Sequence, residues 1–297
     1  LSTDQADQIV DLSGKLVIPG LINAHGHSYA GILKGSIGAI PLDIYMLYAI
    51  AGGTARSERA IYVSAMLDAV QMLKNGVTSF VDHFSQRPTQ EPEGIDTVIR
   101  AFLDSGIRAR VAPMYSDKSF AETVPFPEEE RLSHSGGKPQ QSPQEYVRVV
   151  DEALGRWNRE DTRVGLMLGT DGPQRCTEEL LGLTKELEEQ HRCGWQTHVL
   201  EAKTQAVMSN RLYGKGLVEH MAEDLGLLNE RTSLVHAVWL SDREIGLAAE
   251  TGAAVVHCPR SNLYLGSGAA PLLAYKKAGV PVALGTDGGN LGALEMF

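Results

Sequence analysis

"PGLINAHGHSYAG" (residues 19–31) ends a short apolar run with two histidines that are one residue apart. The apolar run over residues 16–22 is typical of a buried strand. Alternate residues of a strand point to the same side, so His25 and His27 can converge on one point. A motif as short as HxH also arises by chance. Two interpretations are therefore open: half of a metal site, or two partly buried histidines with ordinary hydrogen bonds.

Further short runs rich in Val, Ile and Leu follow along the chain, and segments of helical periodicity separate most of them. Two such segments, residues 57–76 and 176–194, each end on a glycine that could cap a helix, Gly76 and Gly194. The predicted strands cover residues 15–25, 76–83, 107–114, 163–170, 194–199, 232–238, 253–258 and 280–287. Apolar strands that alternate with amphipathic helices predict a parallel sheet covered on both faces. Eight such strands predict an α/β fold of the (β/α)8 TIM-barrel type. The alternative is a doubly wound open sheet. The sequence does not favour it, because no GxGxxG motif opens a helix after an early predicted strand.

Histidines and one aspartate fall at the ends of the later predicted strands. His198 ends the fifth strand, His236 lies late in the sixth, His257 ends the seventh and Asp287 closes the eighth. The C-terminal ends of barrel strands open onto one face, where catalytic groups collect. Imidazoles and one carboxylate suit Zn²⁺ or Fe²⁺, with a coordination position left for water. The pattern therefore favours a metal site over scattered core histidines.

Composition limits the class of protein. The 297 residues, 43% of them apolar, can bury a large core. A net charge of -10 without a basic cluster argues against nucleic acid as a partner and favours a small molecule. Three cysteines without CxxC spacing predict a reducing compartment. Because neither a membrane span nor a signal-peptide pattern is present, we expect a soluble, cytoplasmic protein, with homo-oligomerisation left open.

Five motifs together resemble a known superfamily. They are "PGLINAHGHS", "THVLEAKTQ", "LVHAVWLSD", "VVHCPRSNLYLGSG" and "VALGTDGG". In this order they resemble the amidohydrolase superfamily, and more narrowly its aminohydrolase and chlorohydrolase branch. That branch includes cytosine, guanine and S-adenosylhomocysteine deaminases and the triazine hydrolases. The resemblance runs from about residue 11 to residue 297 and implies a barrel of the metal-dependent hydrolase kind.

The resemblance also implies roles for individual residues. One divalent ion, Zn²⁺ or alternatively Fe²⁺, would be held by His25, His27, His198 and Asp287. The implied catalytic residues are Glu201, His236 and Asp287: His236 and Asp287 handle the proton of the attacking water, and Glu201 handles a substrate proton. Two-metal relatives often carry a carbamylated lysine at the end of strand four. The stretch "LMLGTDGPQRC" (residues 166–176) has no lysine there, which favours one metal.

The implied reaction is hydrolysis of a C–N bond in a small nitrogen heterocycle, with deamination as the leading prediction. Dechlorination or dealkylamination of a triazine-like ring, cyclic-amide hydrolysis and an inactive fragment are the alternatives. His83, Gln174, His257 and Asn262 are predicted substrate contacts. For His257 a hydrogen bond to a backbone carbonyl is equally compatible with the sequence, and Asn262 could instead cap a turn. Cys258 is interpreted as a buried space-filling residue rather than a nucleophile.

Two segments lie outside this pattern of strands and helices. Residues 116–143, rich in Pro, Ser, Gly and charge, are expected to form either a lid or a surface insertion after strand three. Members of the branch usually carry a small β-sandwich beside the barrel. Here we expect residues 1–19 to hold a remnant of it and the lead-in to strand one. Residues 20–297 would form the catalytic barrel, truncated soon after strand eight.

Overall fold

The protein is described by a computed structural model that covers residues 7–52, 55–125, 141–158, 162–292 and 294–296. Within these residues the strands form one parallel sheet. They are β1 (Leu21–Gly26), β2 (Val77–Phe84), β3 (Arg108–Tyr115), β4 (Val164–Leu166 and Leu168–Thr170), β5 (Trp195–Val199), β6 (Thr232–His236), β7 (Ala254–His257) and β8 (Val282–Leu284). Strand β4 is interrupted at Met167, and both of its parts pair with β3.

The sheet curls into a nearly closed barrel. Each strand pairs with its sequence neighbour from β1 to β8. Across the remaining gap, the backbone N–H groups of Thr286 and Asp287 each donate to the carbonyl of His25 at 3.1 Å. The predicted (β/α)8 barrel is thereby confirmed.

Helices connect the strands and cover the outside of the barrel. They are α1 (Leu42–Gly52), α2 (Glu58–Lys74), α3 (Pro92–Ser105), α4 (Pro143–Trp157), α5 (Glu178–His191), α6 (Lys203–Tyr213), α7 (Leu217–Glu219, continued by a π turn at His220–Asp224), α8 (Asp242–Thr251), α9 (Pro259–Tyr264) and α10 (Leu272–Ala278). Ser142 and Ser241 begin α4 and α8 with reciprocal capping boxes. Gly106 and Gly252 end α3 and α8 in the left-handed conformation.

The glycine cap predicted for the end of one helix is not observed. Helix α5 was expected to end on Gly194, but it ends at His191, and Arg192 adopts the left-handed conformation with a φ of 49°. The helix stops two residues earlier because the backbone of Gly194 already belongs to the sheet: its carbonyl accepts from the N–H of Leu168 at 2.8 Å.

The interior separates into two parts. A large apolar layer lies between strands and helices, with Phe80, Phe102 and Met72 among its buried members. Inside the barrel a smaller cluster joins Cys258 to Val235 and Val256. Burial raises the pKa of the Cys258 thiol well above its usual range, which agrees with a space-filling role.

The two segments set apart by the sequence are only partly described. Residues 7–20 contain no helix or strand and are mostly exposed. The β-sandwich remnant therefore stays a prediction, and residues 1–6 of it lie outside the described part of the chain. Of the possible lid, residues 126–140 also lie outside the described residues. Among the helices that the structure describes, none is long and apolar enough to cross a membrane.

Candidate metal centre and active site

The four predicted metal ligands meet at the C-terminal end of the barrel. Nε2 of His27 lies 3.2 Å from Oδ1 of Asp287 and 3.3 Å from Nε2 of His198. Nε2 of His25 lies 3.8 Å from the same carboxylate oxygen. Residues from β1, β5 and the turn after β8 are thus brought together although up to 262 positions separate them in the sequence.

A second group fixes the orientation of each imidazole. Nδ1 of His25 lies 2.7 Å from the side-chain oxygen of Gln196, whose amide nitrogen donates to the carbonyl of Ala24. Nδ1 of His27 lies 2.7 Å from the carbonyl oxygen of His83, and Nδ1 of His198 lies 2.5 Å from that of Asp171. Because all three partners are acceptors, Nδ1 carries the proton in each ring and Nε2 keeps its lone pair. Metal-binding histidines have this arrangement.

The protonation state of the rings suits a cation. Burial, followed by the neighbouring imidazole of His27, holds the pKa of His25 well below its usual range. The same two causes lower the pKa of His198 to about 3. Nε2 of His25 is buried and has no hydrogen-bond partner among the described residues. An unpaired buried acceptor is costly, and a divalent cation coordinated by the four side chains would satisfy it. The residues therefore fit a metal ion.

Asp287 is held in a strained backbone position. Its φ is 64°, in the left-handed region that non-glycine residues seldom adopt. Oδ1 accepts from the N–H of Gly288 at 2.7 Å, and Oδ2 accepts from the hydroxyl of Ser261 at 2.5 Å. Burial would raise the pKa of Asp287, but His27 and His236 outweigh it and bring the pKa below its usual range. The carboxyl group is therefore ionised.

Glu201 and His236 lie on the other side of Asp287. Nε2 of His236 is 3.6 Å from Oε2 of Glu201 and 4.0 Å from Oδ2 of Asp287. Nδ1 of His236 lies 2.8 Å from the side-chain oxygen of Asn262. Burial, and then the charge of Asp287, raises the pKa of Glu201 well above its usual range, whereas burial lowers the pKa of His236. These shifts favour the protonated form of the Glu201 carboxyl and the neutral form of the His236 imidazole.

A cleft opens above these residues. Its lining combines ligands and catalytic candidates with side chains from α1 and the loops. Beyond the predicted residues, the lining comprises Tyr29, Ala30, Leu42, Tyr45, Met46, Met114, Arg175, Leu265, Asn290 and Leu291. The apolar sequence of α1, "LDIYMLYAIAG", is the one signal that could have pointed to this wall.

The four predicted substrate contacts are all buried, and none borders this cleft. Asn262 contacts His236, and the ring of His83 lies among the metal-ligand histidines. Gln174 follows β4, and His257 ends β7 with Nδ1 unpaired within the described residues. Their contact with substrate stays a prediction.

Asp171 and Arg175 form a buried ion pair beside the site. Nη1 of Arg175 lies 2.9 and 3.0 Å from the two carboxylate oxygens of Asp171. The guanidinium also lies over the ring of Phe120, 4.9 Å from its centre. The pair links the cleft wall to His198, since the carbonyl of Asp171 accepts the imidazole proton of that residue.

Known proteins support this interpretation of the fold and the site. The amidohydrolase family model matches residues 16–297. The 5'-deoxyadenosine deaminase of Methanothermobacter thermautotrophicus is 32% identical over 299 residues, which span 100% of this chain and 64% of the relative. The 5-methylthioadenosine/S-adenosylhomocysteine deaminase of Pyrococcus furiosus is also 32% identical, over 95% of this chain and 61% of the relative. The chain thus spans less than two thirds of the length of these relatives.

A solved structure agrees in fold. The adenosine deaminase of Xanthomonas campestris with bound zinc superposes with a TM-score of 0.78 at 27% identity. The superposition covers 94% of this chain and 58% of that protein. The resemblance noted from the five motifs is confirmed by the match over nearly the whole chain. The chain belongs to the amidohydrolase family.

Proposed function

We propose that the protein is a mononuclear metal-dependent hydrolase that deaminates a nitrogen heterocycle and releases ammonia. The close approach of Nε2 of His27 to both Oδ1 of Asp287 and Nε2 of His198, with Nε2 of His25 near the same oxygen, carries the proposal. We assign zinc as the ion, with iron as the alternative, because imidazole and carboxylate donors suit both. The zinc in the Xanthomonas structure supports this choice.

The ion would be held by His25, His27, His198 and Asp287. When bound, it would supply a Lewis acid that lowers the pKa of water from about 15.7 to about 7, so that hydroxide is available at neutral pH. The fixed Nδ1 partners of the three imidazoles would keep the ligands in place without rearrangement.

The side chains of the protein would move the protons. The neutral Nε2 of His236, near Oδ2 of Asp287, can accept a proton from the attacking water. Glu201, whose raised pKa favours the protonated form, can donate to a ring nitrogen of the substrate, so that negative charge does not build up there. The attacked ring carbon becomes tetrahedral. The proton held by His236 then passes to the departing amino group, which leaves as ammonia. As the ring carbon becomes a carbonyl, its hydroxyl proton passes to Asp287 and from there restores the proton on Glu201.

An aminated purine is the substrate class that we propose. The two relatives described above are named as deaminases of adenosine derivatives, which supports this choice. The cleft offers Leu42, Met46 and Leu265 as apolar surface for a flat ring. Tyr45 accepts a hydrogen bond from the amide of Asn290 at 2.6 Å, so the same cleft also presents polar groups.

The proposed setting is the cytoplasm, with a small molecule as the substrate. All three cysteines, Cys176, Cys193 and Cys258, are free and buried. Free thiols are the rule in a reducing compartment. The overall negative charge supports a small-molecule substrate over nucleic acid.

The test combines metal content with product release. Zinc and iron per chain are measured on the purified protein and on a His27→Ala variant, and ammonia release is assayed on adenosine, 5'-deoxyadenosine and guanine. We expect about one ion per chain, lost in the variant, and ammonia from at least one purine. Release of chloride or alkylamine from a triazine, without ammonia from any purine, would replace deamination by the triazine reaction. Folded protein that binds neither metal would contradict the proposal.

A further inference from the structure

His83 is a buried histidine that the proposed mechanism does not use. It lies near the end of β2, its side chain is fully buried, and its carbonyl accepts the Nδ1 proton of His27 at 2.7 Å. Neither nitrogen of its ring has a hydrogen-bond partner among the described residues. A buried polar group without a partner is rare in folded proteins and needs an explanation.

The ring of His83 lies against the metal-ligand histidines. It stacks on His198, with 4.8 Å between ring centres and 18° between planes, and its centre is 5.6 Å from that of His25. One ring nitrogen from each of His83, His25 and His198 lies within 4.8 Å of the other two. Three buried imidazoles at this separation are able to coordinate a cation.

Small residues on the neighbouring strands make room for this ring. Ala112 of β3 is the register partner of His83, and Gly169 follows on β4. A Cβ atom at Gly169 would lie 2.9 Å from Nε2 of His83, closer than real contacts allow. The imidazole therefore occupies the space that a β4 side chain would need, on the side of the barrel facing His198.

We propose that His83 supplies a fourth imidazole to the metal centre, on the same ion as His25, His27 and His198. This inference rests on the proposed metal-dependent function. A ring that served only for stacking could be phenylalanine, which would bury no unpaired nitrogen. With Asp287 the described residues would then provide five donors to the ion.

The test counts imidazoles around bound zinc by X-ray absorption spectroscopy and measures zinc affinity by competition with a chromophoric chelator. His83→Phe keeps the stacked ring and removes the nitrogens. His257→Phe is the matched control, because His257 is also a buried histidine near a strand end with an unpaired nitrogen, outside every metal-binding group among the described residues. We expect four imidazoles in the wild type and three in His83→Phe, with zinc affinity about 10–100-fold weaker. The control should keep four imidazoles and the wild-type affinity.

The two proposals fail in different ways. Three imidazoles in the wild type, or wild-type zinc affinity in His83→Phe, would overturn the role of His83 and leave the proposed deaminase intact. The wild-type count decides this even where the variant does not fold. Folded wild-type protein that binds no metal would overturn both proposals.

Discussion

Glu201 and His236 face each other with 3.6 Å between Oε2 of the carboxyl and Nε2 of the imidazole, and their pKa values are displaced in opposite directions. Burial raises the pKa of Glu201 and lowers that of His236, which favours the proton on the carboxyl over the proton on the imidazole. The pair is thus a proton donor beside a proton acceptor rather than an ion pair. Two titratable groups displaced in this way are typical of acid and base roles in one site.

Removing the acid should stop the reaction without emptying the metal site. Glu201→Gln keeps the size and hydrogen bonds of the side chain but cannot release a proton. We expect kcat to fall about 10²–10⁴-fold, the range for loss of one general acid. Metal content should stay at the wild-type value, because Glu201 is not among the four predicted ligands. Steady-state kinetics and metal analysis on the same preparation check both statements.

The matched control for this variant is Glu189→Gln on the exposed side of α5. It makes the same chemical change far from the cleft and should leave kcat and KM unaltered. Undiminished kcat in Glu201→Gln would rule out the proton role of Glu201.

Asn262 offers a way to separate positioning from substrate contact. Its side-chain oxygen lies 2.8 Å from Nδ1 of His236 and thereby fixes which nitrogen carries the proton. We expect Asn262→Ala to lower kcat about 10–100-fold, as loss of such an orienting partner does in metal sites, with little change in KM. A large rise in KM at unchanged kcat would instead support the substrate contact predicted from the sequence.

The sequence predicts the barrel and the site ligands because both depend on local pattern. Apolar strands, helical segments and capping residues recur along the chain, and ligands at strand ends reach one face by topology alone. The groups that orient the ligands could not be predicted. Two of them are backbone carbonyls, those of His83 and Asp171, and a carbonyl has the same chemistry whatever its residue.

The cleft wall and the end of α5 could not be predicted from the sequence either. Tyr45 reaches Asn290 across 245 positions, and no short pattern encodes such a contact. Arg192 rather than a glycine takes the left-handed position after α5.

The buried ion pair of Asp171 and Arg175 predicts a specific pattern of stability changes. Arg175→Met would leave the carboxylate of Asp171 buried without a counter-charge, at a cost of about 3–5 kcal/mol in the free energy of unfolding. Adding Asp171→Asn should recover much of that loss, because the uncompensated charge is then gone. Urea unfolding of both single variants and the double variant measures the coupling. Arg148→Met, in an exposed ion pair with Glu152, is the control and should show no comparable loss.

Asp68 predicts how stability depends on pH. Its carboxyl is buried in α2 with no hydrogen-bond partner among the described residues. Burial, and then the charge of Asp82, raises its pKa well above the usual range. Above about pH 4 the unfolded chain releases this proton while the folded protein keeps it. The stability present below that pH is therefore lost as pH rises toward the folded pKa, by up to about 1.4 kcal/mol per pH unit.

Asp68→Asn should remove this dependence. Urea unfolding between pH 4 and pH 8 should show the wild type losing stability relative to the variant as pH rises. Glu250→Gln, at an exposed position of α8, is the control and should show the same dependence of stability on pH as the wild type. A constant difference between wild type and Asp68→Asn across the range would mean that Asp68 is ionised in the folded protein.

Metal removal should destabilise the fold as well as stop the reaction. The ligands come from β1, β5 and the turn after β8, so an ion bound by them would join both sides of the gap in the barrel. Free zinc at about 1,000 times its dissociation constant would stabilise the folded state by about 4 kcal/mol. A chelator should therefore lower the thermal midpoint, and added zinc should restore it. His27→Ala should melt at one temperature with or without zinc. If the wild type also melts at the same temperature with and without zinc, the four side chains do not form a metal site in the folded protein.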